Sequence, residues 1–102
     1  MIIYDKLVRD LIPQILKQKG VGFSSHIADE VEYKRKLDEK LVEEVGEYQE
    51  SGEVEELADI LEVVYTIAEN KGVSIEELEK IRERKANERG KFLDKIILET
   101  TD

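Results

Sequence analysis

The sequence predicts an all-α fold, a helical bundle of about four helices, and three observations carry that expectation. Apolar residues recur at helical spacing through two long stretches without proline, residues 29–50 and 53–70. Ser-Gly and Lys-Gly pairs close those stretches, and glycine again follows the last candidate helix. The connections that remain are a few residues long, which suits antiparallel neighbours.

Taken in order, the N-terminal IIYDKLV has too few apolar positions to separate a short strand from an extended lead-in. Asp10 is placed to cap a first helix over residues 11–19, with Pro13 tolerated in its first turn and Gly20 ending it after Lys17 and Lys19. The segment VGFSSHIA alternates weakly and reads as a short strand or an extended link. Its plausible partner is the tail KIILETT, so a short β-ribbon would join residues 21–28 to 95–101. Helix two runs from about Asp29 to Glu50 on the stripe Leu37, Leu41, Val45 and Tyr48, and Ser51-Gly52 ends it. Helix three covers residues 53–70 up to Lys71-Gly72. Ser74 with Glu77 forms a capping box that opens helix four, which ends near Gly90.

At 102 residues the chain suits one domain, residues 1–102, with one modest core. Asp and Glu number 25 against 16 Lys and Arg, a formal net charge of -9. Such a surface repels nucleic acid and anionic membranes, so neither is an expected partner. The absence of cysteine removes disulfides, thiolate metal sites and cysteine nucleophiles. No apolar run approaches a membrane span and MIIYDKLVRD lacks a signal-peptide core, so the expected location is cytoplasmic.

The acidic residues separate once each is compared with its own apolar stripe. With Leu37 as zero, Leu41, Tyr48 and Val45 lie within about 80° at 100° per residue. Glu39, Glu43 and Glu50 lie roughly opposite, as solvated acids should, near 200–240°. Glu44, near 340°, lies among the apolar positions, flanked by Glu47 and Lys40. On helix three, with Val54 as zero, Glu55, Glu62 and Glu69 form a wet face near 60–100°. Glu56 falls inside the apolar arc near 200°, with Asp59 at its edge. Two consecutive helices would therefore aim four carboxylates into a shared space, and something positive must compensate them. Oxygen ligands without His or Cys favour Mg²⁺ or Mn²⁺ over zinc. The alternative is that the acids line the bundle rim and pair with Lys or Arg.

EEVGE followed by EELAD resembles the ExxE and ExxD signature of the MazG-like all-α nucleoside triphosphate pyrophosphohydrolases, a superfamily that includes phosphoribosyl-ATP pyrophosphohydrolase. The flanking YDKLVRDLIP and KANERGKF extend the likeness over nearly the whole chain, toward the small phosphoribosyl-ATP pyrophosphohydrolase-like branch. Eight residues separate Glu47 from Glu56, a shorter connection than many members have. The resemblance implies Mg²⁺, with Mn²⁺ as a substitute, held by Glu44, Glu47, Glu56 and Asp59. It implies hydrolysis of a nucleoside triphosphate to the monophosphate and pyrophosphate in nucleotide-pool housekeeping. Glu43 or Glu47 would serve as the base, and Lys6, Arg9, Lys40, Lys85 and Arg89 are the matching basic residues for phosphate contact. Lys6 and Arg9 have a competing reading as partners of Asp5 and Asp10, and Lys85 and Arg89 as an exposed helix face.

His26 has no positioned acid or nucleophile elbow and reads as a loop or strand histidine. Helix three is apolar over more than half its circumference, more than one short bundle can cover, so a homodimer or higher oligomer is expected. Two alternatives stand beside housekeeping hydrolysis. One is phosphoribosyl-ATP hydrolysis in histidine biosynthesis, and the other is a non-catalytic helical interaction module whose acidic face binds a basic helix.

Overall fold

A computed structural model describes residues 1–102. It is all-α, with α1 (Ile12–Gln18), α2 (Glu30–Ser51), α3 (Val54–Asn70) and α4 (Ile75–Arg89). The caps follow the local chemistry. Asp29 accepts the Glu32 amide at 2.9 Å, and Ser74 accepts that of Glu77 at 3.1 Å, each satisfying a donor that the helix start leaves open. α1 departs from the expectation for Asp10: its N-cap is Leu11, with no side-chain cap. Arg9 supplies the carbonyl that the Ile12 amide meets at 3.0 Å.

The bundle is organised around one hairpin. α2 ends on Gly52 in the left-handed conformation, φ 68°, which a β-carbon would strain. Gly52 and Glu53 alone then connect it to α3, forcing an antiparallel return. Most packing between helices is α2 on α3, α4 touches only α3, and α1 packs on no other helix. In the core Leu37 is 2 % exposed, and Val63 and Ala68 are buried as well.

The expected ribbon between residues 21–28 and 95–101 does not form: no residue is in a strand, and no backbone hydrogen bond joins the two segments. A two-stranded ribbon is marginal without a packed face. Here Ile27, Ile96, Ile97 and Leu98 all stay exposed, so neither segment has one.

The molecule is extended, 59 × 31 × 25 Å. Its radius of gyration is 17.9 Å, whereas a compact chain of this length would have about 13 Å. Only half of the apolar arc of α3 is covered. Val64 and Ile67 are half-buried, while Val54, Leu57 and Leu61 form an exposed stripe. No helix is long and apolar enough to cross a membrane.

Candidate metal centre

The hairpin returns α3 past α2 so that the first two turns of α3 face the last third of α2. Glu44, Glu56 and Asp59 therefore converge, with one oxygen from each lying within 4.8 Å of the other two. A second grouping, Glu43, Glu44 and Glu47, meets the same limit along α2. Glu44 belongs to both. The four acids singled out by the helical wheels thus come together around Glu44, with Glu47 the more exposed member on the α2 side.

Glu44 is the unusual residue. It is 7 % exposed, the one charged residue buried in the molecule. Its Oε1 stands 3.3 Å from Lys40 Nζ, but its Oε2 is buried and meets no hydrogen-bond donor. Burial pushes the carboxyl up from its ordinary value; Lys40 opposes that, and Glu47 adds to it. A buried carboxylate oxygen without a protein donor costs about 1–3 kcal/mol. Glu56 is also raised, by desolvation first and then by the charges of Asp59 and Glu44.

Three cations meet the cluster. Lys40 lies one turn before Glu43 and Glu44 and contacts both. Lys6 Nζ donates to Glu43 Oε1 at 2.8 Å, and an Arg9 guanidinium nitrogen donates to Asp59 Oδ1 at 2.7 Å. Lys6 and Arg9 thus pair with acids far along the chain and not with Asp5 and Asp10. Glu43 corrects the wheel: its side chain is 27 % exposed, because the N-terminal segment lies over the face assigned to solvent. Burial raises its pKa, but the hydrogen bond from Lys6 and the charge of Lys40 outweigh that and hold it below the ordinary range. Lys6 is raised in return, chiefly by its bond to Glu43.

Lys85 and Arg89 are not drawn into this arrangement; both are exposed and neither makes an ion pair. His26 is a loop residue, and it does have a positioned acid, contrary to the expectation, because the Glu32 carboxylate lies 2.9 Å from its Nε2; no hydrogen bond joins the ring to a hydroxyl. Tyr48 and Tyr65 are half-buried packing residues.

The residues fit a hard divalent ion. An octahedral Mg²⁺ with ligands at about 2.0–2.1 Å spaces its oxygens roughly 3–4 Å apart, which falls inside the 4.8 Å within which the Glu44, Glu56 and Asp59 oxygens lie. The donor set is all carboxylate, and Glu44 Oε2 is a buried acceptor still without a partner. Five carboxylates face three cations, which leaves the cluster two negative charges in excess, the charge of one divalent ion.

Comparison with protein-family models, curated proteins and solved structures gives no match.

Proposed function

We propose that the chain is a Mg²⁺-dependent nucleoside triphosphate pyrophosphohydrolase that converts an NTP or dNTP to the monophosphate and pyrophosphate. The observation that carries this reading is the convergence of Glu44, Glu56 and Asp59, the first of which is buried and has one carboxylate oxygen without a protein partner. The order of the acidic pairs, EEVGE then EELAD on consecutive helices, supports the same reading through its resemblance to the MazG-like enzymes.

Glu44, Glu56 and Asp59 would hold the ion, with Glu47 beside them. An ion held there would supply neutralising charge to the phosphates and lower the pKa of a nearby water. In the hydrolysis proposed, the water oxygen would bond to phosphorus as the anhydride P–O bond breaks, and pyrophosphate would leave with the bonding pair. Of the two candidates for the base, Glu47 is favoured. Glu43 has both oxygens engaged, one by Lys6 and one by Lys40, and is held ionised below the usual range, which makes it a weak proton acceptor. Glu47 is exposed, forms no ion pair and lies beside Glu44. Lys40 stabilises the carboxylates of Glu43 and Glu44, and Arg9 is the nearest guanidinium for a phosphate.

The working unit in this reading is a homodimer or a higher oligomer, because the Val54, Leu57 and Leu61 stripe and the apolar tail lack cover within one chain. That same uncovered surface favours the second reading, a helical interaction module, which predicts no metal dependence.

A panel of common and damaged NTPs and dNTPs, with phosphoribosyl-ATP included, tests the assignment by malachite-green detection of phosphate. The assay is run with Mg²⁺ or Mn²⁺, with and without EDTA, and with and without inorganic pyrophosphatase. The expected result is a metal-dependent signal that requires the coupling enzyme. Silence across the whole panel would reject hydrolysis in favour of the interaction module.

A further inference from the structure

The segment ahead of α1 is anchored in an unusual way. It contains no helix or strand, and only Leu7 is half-buried. Met1, Ile2, Ile3, Tyr4 and Val8 all remain exposed, so apolar burial is not what fixes it. Its anchors are polar: Lys6 to Glu43, Arg9 to Asp59, and Lys36 donating to the Asp5 carbonyl. Two of those three anchors use carboxylates of the cluster itself.

Asp59 is thereby shared between two roles. It is the partner of Arg9 at 2.7 Å, and it is one of the two residues, with Glu56, whose oxygens converge with that of Glu44. We propose that Arg9 is a resident counter-cation of Asp59 that a divalent ion displaces, and that the displaced guanidinium then turns to the anion the ion carries, with Lys6 as the tether that keeps it near. This inference rests on the metal-centre reading above.

The physical reasons are specific to these residues. A divalent ion held by Asp59 would stand a few ångströms from a guanidinium on the same carboxylate. At that range their repulsion exceeds what an exposed Arg–carboxylate pair contributes. The Arg9 side chain is 59 % exposed and can leave without opening the core. Lys6 faces a different acid, Glu43, which lies outside the Glu44, Glu56 and Asp59 group, so the tether survives the exchange. Arginine also suits the second partner, because its planar fork donates two parallel hydrogen bonds to phosphate oxygens. Competition of this kind is reciprocal: whatever Arg9 docking costs the ion, the ion costs the docking.

The test is calorimetric titration of the full chain and of Arg9→Gln and Arg9→Lys with two probes, Mn²⁺ alone and inorganic pyrophosphate in saturating Mg²⁺. Far-UV circular dichroism checks that each variant keeps its helices. Arg9→Gln is expected to bind Mn²⁺ about two- to fivefold more tightly, the gain from removing an exposed competing pair. It is expected to bind pyrophosphate roughly tenfold or more weakly, having lost a charge-assisted phosphate contact. Arg9→Lys, which keeps the charge without the fork, should restore Mn²⁺ affinity toward that of the unaltered chain but not recover full pyrophosphate binding. A merely structural role would not move the two affinities in opposite directions. A variant-free check is the side-chain NMR signal of Arg9, which should shift when Mg²⁺ is added.

If the unaltered chain binds Mn²⁺ and Arg9→Gln binds it equally or less well, displacement is overturned while the metal centre stands. Unchanged pyrophosphate affinity in Arg9→Gln would overturn the transfer to the anion. If the unaltered chain does not bind Mn²⁺ at all, the metal-centre reading and this inference both fall.

Discussion

Replacing Glu44 by glutamine should stabilise the metal-free chain and remove its response to metal. Glu44 Oε2 is buried without a protein donor, and an unsatisfied buried acceptor costs about 1–3 kcal/mol. Glutamine keeps the shape, removes the charge and brings an NH₂ that can donate to the neighbouring carboxylates. Against this stands the loss of the Lys40–Glu44 pair at 3.3 Å, softened because Lys40 keeps Glu43 at 3.4 Å. The expected balance is a gain of about 1 kcal/mol, or roughly 4–8 °C in melting temperature for a chain of this size. With Mg²⁺ at about 100 times its Kd, the unaltered chain should gain about 2.7 kcal/mol and overtake the variant. The order of stabilities therefore reverses with metal.

The sign of the pH dependence follows from the direction of the Glu44 shift. Its folded-state pKa lies above its ordinary value, so between the two the folded chain holds more protons than the unfolded one. Stability from this group is then lost as pH rises through that window, and no penalty remains below it. The advantage of Glu44→Gln should accordingly vanish on acidification below the ordinary glutamate range and grow toward neutrality. Thermal unfolding followed at 222 nm, at fixed protomer concentration in EDTA and in Mg²⁺ across pH 4–7, reads both effects. A variant less stable than the unaltered chain in EDTA at neutral pH, or an advantage that persists in acid, would show that Glu44 is not a strained buried charge.

Two further outcomes are expected. Glu56→Ala should abolish pyrophosphohydrolysis with the helical spectrum intact, whereas Glu55→Ala, exposed on the neighbouring face, should leave turnover within about twofold, as for an ordinary surface substitution; the coupled phosphate assay separates them, and surviving turnover in Glu56→Ala would remove that residue from the centre. Sedimentation equilibrium should give a mass above the 11.8 kDa protomer, and Leu61→Glu, which places a charge in the exposed Val54, Leu57 and Leu61 stripe, should return it to the protomer value. A protomer mass for the unaltered chain would withdraw the oligomer.

The parts of this molecule that were legible in its sequence are those that repeat at the helical period. Leu37, Leu41, Val45 and Tyr48 define the inner face of α2, and Glu44 stands out because it interrupts that face; the same comparison finds Glu56. What escaped has no period. Lys6 and Arg9 reach acids 37 and 50 residues away from a segment without regular structure, and no local pattern encodes such contacts. The placement of Glu43 failed for the same reason, since a wheel describes one helix and knows nothing of a segment lying over it. The ribbon expected between residues 21–28 and 95–101 rested on weak alternation, and alternation without a surface to pack against does not hold two strands together.

The two-residue link between α2 and α3 separates what can vary in this chain from what cannot. Each helical residue turns the helix by about 100°, so one residue inserted between Glu47 and Ser51 would rotate Glu44 and Glu47 away from Glu56 and Asp59. The same residue added between Gly52 and Glu53 would lie outside both helices and leave their faces in phase. Length change is therefore tolerable at the turn and ruinous one turn before it. Among related chains, insertions should gather at Gly52, while a whole turn added between Glu44 and the end of α2 should be matched by one added ahead of Glu56, because each turn also lengthens a helix by about 5.4 Å.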